Sequence, residues 1–163
     1  MFPIMVNSVC SMCLSPDGRR IVSGNEVGEV KMWDAATGEE LRTFGRHIRT
    51  VESVCMSLDD TLIVSGGWDG EVRMWGADTG KLLRTLTGHT KPVLSVCVSQ
   101  DGTRIVSGSD DKTVKVWDFE TGHELRTIIG HTDWVRSVCV TNDGTKLVTA
   151  SQNEIIIWDF DDM

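Results

Sequence analysis

His47, Ser65 and Asp69 form a set that returns 42 residues later as His89, Ser107 and Asp111. These are the residue types of nucleophilic acyl transfer, in which an imidazole takes the hydroxyl proton and a carboxylate orients the imidazole. That chemistry needs one exposed, activated serine on a strained turn beside an oxyanion hole. Here the set occurs twice, Trp75 or Trp117 accompanies each copy, and no Gly-x-Ser-x-Gly elbow is present. A duplicated set with a tryptophan in each copy reads as internal structure, so no catalytic residue is expected.

The other reactive residue types lead to equally plain readings. Cys10-x-x-Cys13 has the spacing of a redox motif or half a zinc site, but no second pair and no nearby histidine completes a tetrahedral set. Cys55, Cys97 and Cys139 bring the count to five, and an odd count rules out a complete set of internal disulfides. Reduced, packable thiols in a cytoplasmic or nuclear protein are expected. Asp17-Gly18, Asp101-Gly102 and Asp143-Gly144 are turn chemistry, and no glycine-rich loop has phosphate-binding spacing. Neither a metal nor a cofactor is expected.

The net charge is −8, from 24 acidic and 16 basic side chains, with no basic stripe. Phosphate backbones and anionic membranes are bound by clustered Lys and Arg, so neither nucleic acid nor membrane is expected as the main partner. No apolar run reaches the length of a membrane span. The segment Met1 to Val6 lacks the basic region and small-residue cleavage site of a secretory signal.

The elements that must position these residues follow from one period. Trp33, Trp75 and Trp117 are 42 apart and Trp158 follows after 41; Cys13, Cys55, Cys97 and Cys139 keep 42 throughout, as do His47, His89 and His131. Within one repeat, residues 93–99 read as a strand ended by Gln100-Asp101-Gly102. Arg104 to Ser107, Val114 to Trp117 and Glu124 to Ile129 read as three more, separated by Asp110-Asp111-Lys112 and Glu120-Thr121-Gly122. Four short strands per period of about 42 residues is the signature of a propeller blade. The Leu-Arg-Thr triplets at 41–43, 83–85 and 125–127 fall on outer strands, with arginine expected to face solvent and guard the edge.

Gly88-His89 with Trp117-Asp118, and Gly130-His131 with Trp158-Asp159, resemble the paired markers of the WD40-repeat (WD-repeat) β-propeller family, and the resemblance covers nearly the whole chain. Blade two departs from it with Arg46-His47 and Trp75-Gly76, and blade one has Met5 in place of its histidine. The resemblance implies an all-β propeller domain over 1–163: blade one at about 5–44, blade two at 47–87, blade three at 89–129, and blade four at 131–160 lacking its outer strand. It also implies that the repeated set is a buried hydrogen-bonded tetrad: His47, Ser65, Asp69 and Trp75; His89, Ser107, Asp111 and Trp117; and in blade four His131, Thr149, Asn153 and Trp158. Blade one keeps Ser23 and Trp33 but has Val27 in the aspartate position.

Members of that family commonly bind partners on one face of the ring. The matching positions are Ser8, Thr50, Pro92 and Trp134 in one series, and Glu26, Trp68, Asp110 and Gln152 in the other. Four of the six tryptophans belong to the blades, and the two left over, Trp68 and Trp134, fall on this face. Tryptophan buries much area with few rotatable bonds and dominates interface hot spots. The expected function is therefore a non-catalytic scaffold or adaptor for a protein or peptide. Substrate receptors of ubiquitin ligases carry an arginine two residues after Trp-Asp; here those positions are Ala36, Glu120 and Asp161. Four repeats leave three structural alternatives: a piece of a larger propeller, a homodimer that forms an eight-bladed ring, or a strained four-blade ring. The first two carry an alternative role that is purely structural, the completion of a ring with another copy or chain.

Overall fold

The computed structural model describes residues 7–160. Its first sheet contains β1 (Val9–Leu14), β2 (Arg20–Asn25), β3 (Glu29–Asp34) and β4 (Glu40–Arg46). The second contains β5 (Val51–Met56), β6 (Leu62–Gly67), β7 (Val72–Gly76) and β8 (Leu82–Leu86). The third contains β9 (Val93–Val98), β10 (Arg104–Ser109), β11 (Thr113–Asp118) and β12 (Glu124–Ile129), and the fourth β13 (Ser137–Val140), β14 (Lys146–Ala150) and β15 (Ile155–Asp159). Each sheet is a meander in which consecutive strands pair antiparallel. The first three sheets have four strands and the fourth has three, among the described residues.

Alternation dictates the packing. In the middle of the stack each inner strand has a neighbouring sheet against both faces, so the core sits between blades. Val22, Val30 and Met32 of the first blade pack on Val51, Val54, Met56 and Trp75 of the second. Val64, Val72 and Met74 meet Val93, Val96, Ile105 and Trp117; Val106, Val114 and Val116 meet Val135, Val138 and Leu147. Glycine makes the close approach feasible. A Cβ on Gly66 would lie 2.6 Å from Val93 Cγ1, and one on Gly108 would lie 2.6 Å from Val135 Cγ1.

Among the described residues the same rows have no neighbouring sheet at the two ends of the stack. On the first sheet Val9, Met12 and Leu14 are exposed, Met12 by 73%. On the fourth, Ile155 and Ile157 are exposed by 72% and 66%.

The turn between the first two strands of each blade repeats one device. Ser15, Ser57 and Ser99 Oγ each donate to the aspartate two residues on, Asp17, Asp59 or Asp101, at 2.6 Å, and Thr141 does so to Asp143. The next residue takes a positive φ: Gly18, Gly102 and Gly144 near 70°, and Asp60 at 61°. Only in the second blade does a side chain occupy this left-handed position, which costs an L-residue about 1–2 kcal/mol. Asp60→Gly is expected to raise stability by about 0.5–1 kcal/mol in urea melts, the gain being reduced by glycine's larger unfolded-state entropy. Arg20 keeps its bond to the Asp60 carbonyl (3.2 Å) in that variant but loses the Asp60 carboxylate at 3.7 Å, which holds the gain to the lower end of that range.

Candidate functional site

In the third blade Trp117 Nε1 donates to Ser107 Oγ (2.9 Å), Ser107 Oγ lies 2.8 Å from His89 Nε2, and His89 Nδ1 lies 2.8 Å from Asp111 Oδ2. With a neutral imidazole the proton directions follow. An indole can only donate and a carboxylate can only accept, so Nδ1 carries the proton and Nε2 accepts from the hydroxyl. Ser107 is fully buried, with Oγ engaged on both sides, so it has no path to a substrate. The second blade has the same chain through Trp75, Ser65, His47 and Asp69, with links of 2.8, 2.8 and 2.9 Å.

Burial works to raise the Asp111 carboxyl, but hydrogen bonds from His89 and Thr113 outweigh it and hold the group well below the usual carboxylate range. Asp69 is lowered in the same way, burial being outweighed by the His47 hydrogen bond, the His47 charge interaction and the Ile48 and Glu71 amides.

The fourth blade corrects the expected tetrad. His131 Nε2 reaches Thr149 Oγ1 at 2.7 Å, and Trp158 Nε1 donates to the same oxygen at 2.8 Å. Its Nδ1 partner is Glu154 Oε1 at 3.2 Å, whereas Asn153 is exposed. The turn before β15 is one residue shorter than its counterparts, so the position 22 beyond the histidine no longer faces it. Glu154, one residue later and one methylene longer, closes the gap. In the first blade Trp33 Nε1 donates to Ser23 Oγ (2.8 Å), and Val27 is exposed. Buried Asn25 bonds Glu29 there through both its amide nitrogen and its oxygen. Met5 lies outside the described residues.

The two series of surface positions come together blade by blade. Glu26 N donates to Ser8 O (3.1 Å), Trp68 N to Thr50 O (2.9 Å) and Asp110 N to Pro92 O (3.0 Å). Thr50 Oγ1 bonds the Glu26 carbonyl (3.1 Å) and so joins the first two blades. Trp134 and Gln152 are both exposed on the fourth blade. The Trp68 indole is 48% exposed and its Nε1 donates to Glu52 Oε2 at 2.9 Å. Trp134 is 42% exposed, with the Arg136 guanidinium 5.3 Å from its ring centre. Between them in blade order sits Asp110, whose buried Oδ1 accepts no hydrogen bond and has Lys91 Nζ at 3.8 Å.

Glu52 and Arg136 were missed in reading the sequence, although the signal was available. Each lies two residues beyond a contact position, Thr50 or Trp134, in the segment that leads into or opens the blade's first strand.

The family model described as "WD domain, G-beta repeat" matches residues 5–34, 38–76, 80–118 and 122–159. The chain belongs to the WD-repeat family. It is also 40% identical over 47 residues to an uncharacterized WD repeat-containing protein of Nostoc sp. (strain PCC 7120 / SAG 25.82 / UTEX 2576). That match spans 29% of this chain and 3% of the relative's length.

WD repeats generally mediate protein–protein contacts. Burial pushes the Cys13 thiol up to about 11 and Cys97 to about 12, and raises Cys55 well above its ordinary value. Cys10 is raised as well, by burial and by Glu52 and Glu26, which is opposite to what a nucleophilic thiolate needs. No three His, Cys, Asp or Glu side chains converge on a metal-sized site among the described residues. The arginine of the outer-strand triplet corrects another expectation. Arg84 does not merely face solvent: its guanidinium crosses to the third WD repeat and donates to the Glu120 carbonyl at 2.6 Å. Ala36 and Glu120 are exposed turn residues, and Asp161 lies outside the described residues.

Proposed function

We propose that this chain is a non-catalytic interaction module, a scaffold or adaptor, that holds a protein or peptide on the face carrying Trp68 and Trp134. The observation that carries this reading is the state of the two indoles. Each leaves close to half its surface in water while a neighbour, Glu52 or Arg136, restrains its orientation. A preoriented tryptophan loses little entropy on binding, and that is the property of an interface anchor. Thr50, Pro92, Asp110, Gln152 and Glu26 supply the rim of the same face. The compartment that suits five free thiols is the cytoplasm or nucleus.

The test is a displayed random-peptide selection against the folded chain, followed by affinity measurement on the selected peptides. Trp68→Ala with Trp134→Ala is expected to weaken binding at least about 30-fold, the scale of one lost anchor at roughly 2 kcal/mol. Both side chains lie at the surface, so circular dichroism should stay unchanged. Peptides that bind the double variant as tightly as the parent would remove this face from consideration.

A second reading is favoured by the uncovered rows Val9, Met12 and Leu14 at one end of the stack and Ile155 and Ile157 at the other. Exposed apolar rows of this kind mark surfaces that are covered in the working assembly. On this reading the four repeats are part of a larger ring, completed by docking on the end blades.

A further inference from the structure

The three junctions between blades use one repeated set of contacts, and the two end faces carry the two halves of a fourth. Ser11 Oγ accepts from Val54 N, Ser53 Oγ from Val96 N and Ser95 Oγ from Val138 N, each at 3.1 Å across 43 residues. The next serine in register is Ser137, which is exposed, and the matching amide belongs to Met12. A second series runs beside it. Cys13 meets the Met56 backbone, Cys55 that of Val98 and Cys97 that of Val140. Its next member, Cys139, is exposed, and the matching residue is Leu14. The apolar rows continue likewise: Val148, Ile155 and Ile157 stand where Val64, Val72 and Met74 do, and Val9, Met12 and Leu14 where Val51, Val54 and Met56 do.

We propose that these faces meet between two copies of this chain, blade four of each on blade one of the other, closing one eight-bladed ring. This rests on the completion reading above and names the occupant. The two faces differ, so the contact is head to tail, and such contacts either close or run on as a fibre. Propeller rings hold about four to eight blades, so two copies reach the upper bound and three exceed it. A single copy does not close on itself, because Met12 and Ile155 remain almost three-quarters exposed. One position separates the new junction from the internal three. Ala150 stands where Gly24, Gly66 and Gly108 do, so its methyl meets Val9 of the second copy at a point where internal junctions hold no Cβ. The valine must turn to admit it, and Ala150→Gly therefore tightens the pair.

The experiment is light scattering with sedimentation on the full chain. A mass of twice 18.0 kDa is expected. Met12→Asp and Ile157→Asp are each expected to halve that mass. Mixed, they should regain a weaker pair through the one junction native on both sides. Ala150→Gly should lower the dissociation constant. If either aspartate variant fails to fold by circular dichroism, thiol labelling of the parent replaces it: Cys139 should be protected when concentrated and reactive when dilute.

A parent dimer that Ile157→Asp breaks and Met12→Asp leaves intact would mean that like faces meet, and would overturn the proposal. So would a parent that stays monomeric at high concentration. Such a monomer, if it binds an apolar-surface dye, overturns the second copy alone; if it binds none and melts in one step, the completion reading falls with it.

Discussion

Replacing Ser107 with alanine is expected to destabilise the protein by about 2–4 kcal/mol. The hydroxyl serves two buried groups, the Trp117 indole N–H at 2.9 Å and the His89 Nε2 at 2.8 Å. Alanine keeps the backbone and orphans both, and each buried polar group left without a partner costs about 1–3 kcal/mol. Residue 107 is fully buried, so bulk water does not reach the pair. In thermal melts the midpoint should fall by roughly 5–15 °C, given about 2–4 °C per kcal/mol for a chain of this size. Ser65→Ala should behave alike, because it breaks the same two links to Trp75 and His47. The two changes share no partner, so their costs should add. A nucleophile would give the opposite pattern, with an activity lost and the melt unmoved; an unmoved melt for Ser107→Ala would refute the structural role assigned here.

What the sequence made legible was what repeats. Tryptophans 42 residues apart, each following an alternating apolar run, specify strands, turns and blade order with little ambiguity, and the histidine, hydroxyl and acid then fall into place by offset. Offset fails where the chain departs from its own period. The shortened turn before β15 moves the role expected of Asn153 to Glu154, and only the reach of the longer side chain explains why His131 still finds a carboxylate. Lateral contacts were hidden for another reason. Arg84 was assigned to solvent because its strand is outermost in its own sheet, yet the neighbouring blade brings the Glu120 carbonyl within its span. Exposure was hidden too, since a repeat looks the same in the middle of a stack and at its end. Only the fold distinguishes Met12, in water, from Val54, in the core.

The stability of the protein is expected to fall as the pH drops below about 4, and Asp111→Asn should remove a large part of that dependence. Asp111 is the acceptor for four donors: His89 Nδ1 and Thr90 N on Oδ2, and Thr113 N and Thr113 Oγ1 on Oδ1. Burial alone would raise its proton affinity, but these hydrogen bonds and the His89 charge interaction leave it lowered. A carboxyl whose folded value lies below its unfolded value of about 3.9 binds fewer protons folded than unfolded. Its contribution is therefore complete above the unfolded value and is lost as the pH falls from there towards the folded one. Asp69 is lowered as well and adds a loss of the same sign. Asparagine keeps the shape but turns one acceptor into a donor aimed at other donors. At neutral pH Asp111→Asn should cost about 2–3 kcal/mol, the scale of a buried hydrogen bond to a charged group. Below pH 4 the parent loses that advantage and the variant has none to lose, so their urea midpoints should converge. Midpoints that stay equally far apart from pH 7 to pH 2.5 would show that the ionised carboxylate is not what holds the imidazole in place.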